Sequence, residues 1–436
     1  MATERPLGSP VMSLDEAQRK PNAANRGLAG PANRWDRIVP IDVLRGFALL
    51  GILVMNIQSF AMPDAAYLNP TAYGDLTGAN RVVWVLGHLL ADEKMFGIFS
   101  MLFGAGIVLM SDRISRFGAI AGPVHYRRMG WLMLFGLLHG HMLWSGDILW
   151  LYGLGGLVAF LFRNQSPRVL LASALAIFTI RSALYLMLGR FIQTLPAETL
   201  DAFTTGYWRP TAEMIQGEIA TFGHGGWAQQ MSLRSSEALF METAGGIILL
   251  GWKALGNMLV GMALFKSGVL SGERSRAVYV RMMAVGFLVG LPMVAFGIWR
   301  NVVAGWDVRY SFFFGSQYNY WGAIIVDMGW IGAVVLACRP TRLERLTSTL
   351  AAVGRTAFSN YILQTIICTT LFYGHGFGLF GTVSRVGQFL IVIAVWVLLL
   401  VVSPLWLRYF AYGPLEWLWR SLTYGRRMPF VRSVAA

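Results

Sequence analysis

Three histidines of this chain lie near carboxylates inside apolar stretches. His88 precedes Asp92 by four residues, so a helix would place both on one face and let the carboxylate orient the imidazole. His139 and His141 precede Asp147 across a short turn, and on a helix the two would face opposite sides. A histidine held by a carboxylate can act as a general base or carry an acyl group. Ionisable groups in lipid cost several kcal/mol, so these residues are catalytic candidates.

A second pattern lies on the first apolar stretch. Arg45 and Asn56 are eleven residues apart, which returns a helix to nearly the same face and separates them by about 16 Å along its axis. Asn56 would hold an oxyanion, and Arg45 would bind the phosphates of an acyl donor. The competing interpretation is a local ion pair of Arg45 with Asp42.

Several other polar residues have a structural interpretation beside the functional one. Asp92 and Lys94 would face about 200° apart on a helix and cannot share a face, so each needs a partner elsewhere. Asp147 follows a glycine and could cap a helix instead of orienting a histidine. A metal site built from the histidines and Asp147 lacks any ligand spacing, so no metal is expected. Gly104 and Gly106 predict close helix contact.

The second half of the chain adds further candidates. Lys253 and Asp327 form a plausible buried ion pair, which would be structural. Arg234 could bind an anionic substrate, although a lone loop arginine is usually solvated. Gln364 lies inside an apolar run, and Arg355 opens the same run from the inner side.

The elements that position these residues are membrane helices. Of the 436 residues, 56% are hydrophobic and 13% are charged, whereas soluble domains carry about 25% charged residues. A span needs about 20 apolar residues. The expected fold is an all-α, polytopic transmembrane bundle of about ten spans, with nine to eleven allowed. The apolar runs lie near 38–60, 82–110, 126–143, 147–162, 168–193, 244–267, 277–300, 316–338, 350–372 and 384–407.

Basic residues predict the orientation of the bundle. With both termini in the cytoplasm, the inner segments contain 24 of the 36 Lys and Arg residues and the outer segments contain 7. This excess follows the positive-inside rule. The expected divisions are a disordered cytoplasmic tail, a membrane half with the candidate site, an extracytoplasmic segment, a second membrane half and a short cytoplasmic tail: 1–36, 37–193, 194–243, 244–427 and 428–436.

Charge and motifs exclude other classes of function. The net charge of +14 sits in short clusters between apolar runs, which suits an anionic lipid surface and not nucleic acid. The chain contains no Walker loop, GxGxxG, GxSxG or CxxC motif. A nucleotide-driven pump and a soluble hydrolase are therefore unsupported, and no tightly bound cofactor is expected.

Five stretches resemble the YeiB family of bacterial inner-membrane proteins, over about residues 37–427. That family is similar to transmembrane acyltransferases, namely the heparan glucosaminide acetyltransferase and the acyltransferase-three enzymes. The shared pattern is an arginine, ten residues and a polar residue, matched here by Arg45 and Asn56. The heparan enzyme also uses a histidine just before its second span, and His88 is the nearest counterpart. The five stretches are Asp42–Ile57, Lys94–Gly106, Gly146–Tyr152, Gly354–Gln364 and Gly413–Gly425.

The resemblance implies an acyltransferase that moves an acyl group from cytoplasmic acyl-CoA, such as acetyl-CoA, to an acceptor at the outer side of a bacterial inner membrane. Arg45, Arg355 and Lys94 would contact the donor, and Arg234 and Gln364 the acceptor. The lipid bilayer and a small-molecule or glycan acceptor are the expected partners, a homodimer is allowed, and no nucleic acid is expected. The alternative is a transporter or exporter of a small anionic solute, with the buried groups as a proton relay.

Overall fold

The described structure is built of helices. A computed structural model of the protein describes residues 38–340 and 343–432. Within these ranges the chain forms helices and turns, and its β structure is limited to an isolated bridge near the C-terminus. The all-α prediction is therefore confirmed. The predicted tail 1–36 and the last four residues of the predicted tail 428–436 lie outside the described residues.

Sixteen α-helices of eight or more residues lie in the described ranges, and short helices and five-residue π-helical turns connect or extend some of them. The sixteen are α1 (Val39–Ala61), α2 (Gly78–Leu90), α3 (Lys94–Arg116), α4 (Ala121–Met142), α5 (Leu149–Leu161), α6 (Pro167–Ile192), α7 (Ala212–Ile219), α8 (Trp227–Glu242), α9 (Trp252–Lys266), α10 (Arg276–Val285), α11 (Leu291–Val303), α12 (Ser316–Ala337), α13 (Glu344–Arg355), α14 (Ala357–Phe372), α15 (Arg385–Tyr409) and α16 (Pro414–Tyr424). The shorter elements are Ala65–Leu68, Ala197–Phe203, Thr204–Trp208, Ala220–His224, Ala244–Gly246, Ile247–Gly251, Gly286–Gly290, Val308–Tyr310 and Ser311–Gly315.

Among the described residues, seven helical segments are long and apolar enough to cross a bilayer. They contain α1, α2 with α3, α6, α9, α10 with α11, α12, and α15. The other predicted spans correspond to α4, α5 and α14, of which α5 has 13 residues and α14 has 16. The chain is thus a polytopic membrane protein. We call the ends of the helices inner or outer according to the predicted orientation.

The second predicted span, 82–110, is not one continuous helix. α2 ends at Leu90 and α3 begins at Lys94. Between them Glu93 has a left-handed backbone with φ of 62°, a conformation that non-glycine residues rarely adopt. A helix break in lipid is tolerated where other protein groups satisfy the freed backbone. Here the Lys94 ammonium donates to the carbonyl oxygen of His88 at 2.7 Å.

Glycines allow α1 to pack tightly against α13. A Cβ atom on Gly46 would overlap the backbone of Leu350, and one on Gly354 would overlap the backbone of Asp42. Small residues permit such approach, on which helix association in lipid depends. The first and ninth predicted spans are therefore joined backbone to backbone.

Helices α3 and α9 meet in the same way. A Cβ on Gly104 would overlap the backbone of Met258, and one on Gly261 would overlap the backbone of Met101. The predicted close contact at Gly104 is confirmed, whereas Gly106 faces open space. The core thus brings helices from both halves of the chain together.

Glu416 of α16 caps the N-terminus of α14. Its Oε1 accepts the backbone N–H groups of Phe358 at 2.6 Å and Ser359 at 3.2 Å. Its Oε2 accepts the Ser359 hydroxyl at 2.5 Å. The first backbone N–H groups of a helix have no partner within the helix. A carboxylate at this end also interacts favourably with the positive end of the helix dipole. Helix α16 therefore stabilises the N-terminus of α14.

We expect Glu416→Ala to destabilise the protein by about 2 kcal/mol, because it leaves these N–H donors unpaired. Thermal unfolding in detergent measures the change. Glu344→Ala is the matched control, since Glu344 is an exposed glutamate at the start of α13. Equal unfolding temperatures for the two variants would contradict the capping role.

Candidate functional site

The break between α2 and α3 organises the first cluster of candidate residues. Nδ1 of His88 lies 2.8 Å from Oδ2 of Asp92, as the four-residue spacing predicted. The side-chain amide of Asn319, on α12, donates to the same oxygen at 2.9 Å. The imidazole stacks on the indole of Trp84, with 5.1 Å between ring centroids. Asn319 therefore fixes Asp92, which in turn orients the ring of His88.

Lys94 completes this cluster from the first turn of α3. Its side chain has no exposed surface, and its ammonium donates to the carbonyl oxygen of His88 and to the amide oxygen of Asn319. Asp92 and Lys94 each have a partner on another helix, as predicted, and this partner is the same residue, Asn319.

Lys253 of α9 forms an ion pair with Glu93 at the break. The predicted pair of Lys253 with Asp327 is therefore not formed. The physical reason is the break, since the left-handed residue Glu93 supplies a carboxylate where the sequence predicted continuous helix. We define His88, Asp92, Glu93, Lys94, Lys253 and Asn319 as the break cluster.

Part of the break cluster is exposed on the outer side. The side chains of Glu93 and His88 are 30% and 18% exposed. Tyr67, in the connection after α1, is 40% exposed. Burial raises the pKa of Tyr67, and the nearby charges of Asp92 and Glu93 raise it further. We call the partly exposed surface formed by Tyr67, His88 and Glu93 the outer recess.

His139 belongs to a second cluster, between α4 and α14. Its Nδ1 lies 2.7 Å from Oδ1 of Asp147, and its Nε2 lies 3.0 Å from the Thr365 hydroxyl. Oδ2 of Asp147 also accepts the backbone N–H of Trp150 at 3.0 Å. Asp147 therefore both orients the histidine and caps α5, the two roles that the sequence left open. His139, Asp147 and Thr365 are all buried, so this histidine is enclosed.

The remaining outer candidates connect α4 to α8. His141 faces away from His139, as predicted, and its Nε2 lies 3.1 Å from Glu242 of α8. Arg234 has no exposed surface. Its guanidinium donates to the carbonyl oxygen of His141 at 2.8 Å and to the side chain of Gln230. Arg234 thus joins α8 to α4 and has no free surface for a solute.

Arg45, Asn56 and Gln364 take no part in the hydrogen bonds around His88 and His139. Arg45 donates to Asp42 at 3.0 Å and its side chain is 30% exposed. Asn56 is half-buried, and Gln364 is buried and precedes Thr365 of the second cluster. Arg355 is half-buried and is the last residue of α13. Within the described residues, no hydrogen bond joins Arg45, Asn56 or Gln364 to His88 or its partners.

Sequence reasoning missed Asn319, Thr365 and Tyr67. Asn319 carried a usable signal, because it is a polar residue inside the apolar run 316–338. Thr365 and Tyr67 are ordinary residues in membrane proteins and carried none. Across 38–340 and 343–432, no three His, Cys, Asp or Glu side chains are arranged to hold a metal ion.

Three carboxyl groups lie near one another outside the spans. Burial raises the pKa of Glu237 to about 9, and the charge of Asp64 adds to the effect. Burial also raises the pKa of Glu218 to about 8 and that of Asp64 to about 6. Glu237 accepts the Ser145 hydroxyl at 2.7 Å, and Glu218 accepts the backbone N–H of Asp64 at 2.9 Å. At neutral pH the folded protein therefore holds protons on the two glutamates.

This arrangement predicts that stability falls with rising pH. The folded-state pKa values lie above those of the unfolded chain, so the stabilisation is complete below about pH 4.5 and is lost as the pH rises through about 8 to 9. We expect the unfolding temperature to fall by several degrees between about pH 5 and pH 9. Glu237→Gln should flatten this dependence, whereas Glu213→Gln, at an exposed residue of α7, should not. Parallel slopes for all three proteins would refute the assignment.

One family of unknown function and two uncharacterized bacterial proteins are similar to this chain. Residues 264–426 match the family described as "Protein of unknown function (DUF418)". The chain is 36% identical over 392 residues to the uncharacterized protein YeiB of Escherichia coli (strain K12), covering 89% of this chain and 96% of that protein. It is 31% identical over 415 residues to the uncharacterized protein YxaH of Bacillus subtilis (strain 168), covering 91% and 96%.

Proposed function

We propose an acyl-transfer function for this chain, which belongs to the YeiB family of membrane proteins. In this proposal the protein transfers an acyl group from acyl-CoA to an acceptor at the outer side of the bacterial inner membrane. The observation that carries the proposal is the His88–Asp92 pair, which lies at a helix break and opens to the outer recess. The enclosed pair of His139 and Asp147 has no such access.

His88 has the arrangement of a general base. Nδ1–H donates to Asp92, which leaves the lone pair of Nε2 as the proton acceptor. Nε2 takes the proton of an acceptor hydroxyl or amine as that group attacks the thioester carbonyl carbon. The bond from this carbon to sulfur then breaks, and the CoA thiolate takes the proton from His88 as it leaves. A base positioned in this way accelerates a reaction by about 10²- to 10⁴-fold.

Residues of α1 support the donor side of the reaction. The Asn56 amide is half-buried and, within the described residues, makes no side-chain hydrogen bond, so its N–H groups are free to donate to an oxyanion. Arg45 lies near the inner end of the same helix with part of its guanidinium exposed. A donor from the cytoplasm would place its phosphates there and extend its thioester toward Asn56.

One observation favours a second function, transport of a small anionic solute. Discontinuous helices near the middle of the membrane form the substrate sites of many transporters. The break between α2 and α3 is such a discontinuity, and it is lined by Lys94 and Lys253. Both functions use the same cluster, and they differ in whether a covalent bond is made.

Liposomes containing the purified protein distinguish the two. Incubation with acetyl-CoA labelled in the acetyl group should leave label on the protein or on an acceptor supplied at the outer face. Absence of transfer from every acyl-CoA tested, in a folded preparation, would reject the enzyme. Uptake of a labelled small anion such as succinate, without acyl transfer, would support the transporter instead.

A further inference from the structure

Asp327 lies in the middle of α12 with none of its surface exposed. Within the described residues neither carboxylate oxygen has a hydrogen-bond partner. Asn257 of α9 is equally buried, and its amide oxygen and nitrogen both lack partners. Leaving one buried polar atom unpaired costs about 1–3 kcal/mol. Four such atoms on two residues indicate a site that is completed by something small.

Gly97 of α3 shows that the two side chains face one another. A Cβ atom on Gly97 would overlap Oδ2 of Asp327 and would lie 3.4 Å from Nδ2 of Asn257. Both polar groups therefore converge on the same short stretch of α3 backbone. Glycine is required at this position because any side chain would occupy the space of the carboxylate.

The charges around Asp327 leave its own charge uncompensated. Lys94 and Asp92 are bridged by Asn319, and Lys253 is paired with Glu93. Lys253, Lys94 and Glu93 are the groups whose charges act on Asp327. Each of the two lysines is thus already matched by a carboxylate, and an ionised Asp327 would add one unmatched negative charge at the centre of the bundle.

Within the described residues, the other elements packed on α12 supply no positive charge that acts on the Asp327 carboxylate. The turn Gly286–Gly290 meets α12 through backbone, at Gly329 and Val326. From α1, the ring of Phe47 packs on Trp330. Arg181 of α6 lies over the rings of Tyr185 and Tyr320, on the α6 side of α12, and is not among the groups that act on Asp327.

We propose that Asp327 and Asn257 form a proton-binding site at the middle of the membrane, and that Lys253 exchanges its partner according to whether the site is occupied. With the proton bound, the Asp327 carboxyl is neutral and can hydrogen-bond to the Asn257 amide, while Lys253 stays with Glu93. With the proton released, Lys253 turns to the Asp327 carboxylate and frees Glu93 in the outer recess.

The geometry favours a proton over a metal cation. Asp327 and Asn257 supply three oxygen atoms, and two ammonium groups lie close enough to repel a bound metal ion. The exchange needs little movement, because Lys253 and Asn257 are one turn apart on the same face of α9. Asn257 already adjoins Asp327, so Lys253 can reach the carboxylate by changing its rotamer.

Infrared spectroscopy of the full protein in liposomes tests the proposal, because a protonated carboxyl has a carbonyl band that a carboxylate lacks. Because Glu218 and Glu237 are also protonated at neutral pH, the test uses the background Glu218→Gln/Glu237→Gln. In this background the band should be strongly reduced by Asp327→Asn and retained in the control Asp307→Asn, an exposed aspartate. Equal band intensity with and without Asp327→Asn would overturn the proton site. If Asp327→Asn fails to fold, loss of the band of this background at alkaline pH provides the same test, and a band that persists overturns it.

Glu93→Gln tests the exchange of partners. Without the Glu93 carboxylate, Lys253 should pair with Asp327 at neutral pH, and the Asp327 band should disappear. A band of unchanged intensity in this variant would overturn the exchange. Stabilisation of the wild type by sodium chloride but not by choline chloride, lost in Asp327→Asn, would show a metal cation in place of the proton. These measurements do not depend on acyl transfer.

Discussion

Replacing His88 with alanine should reduce acyl transfer by about 10²- to 10⁴-fold while the protein still inserts and folds. His88 combines an orienting carboxylate, at 2.8 Å, with a partly exposed ring beside the helix break. Its ring packs on Trp84 at the surface of the recess, so truncation removes the base without opening the core. The measurement is transfer of label from acetyl-CoA by liposomes of equal protein content.

The matched control is His224→Ala, which removes an exposed histidine of the outer segment. Asp92→Asn should lower the rate less than His88→Ala does, because the ring remains but loses the acceptor that fixes its tautomer. Full activity in His88→Ala would reject His88 as the base. His139 and His141 would then be the remaining candidates, and alanine at one of them should in that case abolish transfer.

Lys94→Met should produce the largest loss of stability, about 3–5 kcal/mol. Lys94 is completely buried and bonds to His88 and Asn319. Removing one partner from a buried charged network leaves the others uncompensated, which costs more than the network itself contributes. The helix break also loses the donor that satisfies its backbone. The unfolding temperature in detergent, followed by tryptophan fluorescence, measures the effect.

Lys266→Met is the control for this substitution, since Lys266 lies at the inner end of α9 and donates to a surface carbonyl oxygen. It should unfold like the wild type. Equal stability of Lys94→Met and Lys266→Met would mean that the break cluster does not depend on its buried ammonium. The anion-transport alternative predicts loss of uptake in Lys94→Met under conditions where the protein is still folded.

Local spacing predicted the contacts that lie within one helix turn. The pairs Asp42–Arg45 and His88–Asp92 form as expected, and His139 and His141 face opposite sides. Hydropathy predicted the membrane helices because the free energy of insertion depends on apolar content summed over a segment. These features depend on near neighbours in sequence, and the sequence displays them directly.

The unpredicted features depend on contacts between distant helices. Hydropathy falls at the short charged stretch 92–94, but the average over the segment 78–116 stays apolar, so that average does not reveal the break between α2 and α3. Its stability comes from Asn319 and Lys253, which lie 227 and 160 residues from their acidic partners Asp92 and Glu93. The same break places Glu93 beside Lys253, so that Lys253 pairs with Glu93 and not with Asp327. One unusual backbone conformation thus accounts for the wrong prediction of the ion pair of Lys253.

The tight crossing of α1 and α13 has a consequence for biogenesis. α1 is translated before the other described helices. Its Gly46 nevertheless packs against the backbone of Leu350, and its Gln58 accepts a hydrogen bond from Arg385, 327 residues further along the chain. Before α13 and α15 are synthesised, α1, which contains Arg45 and Asn56, lacks these contacts in the bilayer. A chain that ends before α13 therefore has a first helix that packs on α3 but lacks its contacts with α13 and α15. The native surroundings of α1 are complete only after the last spans have been made.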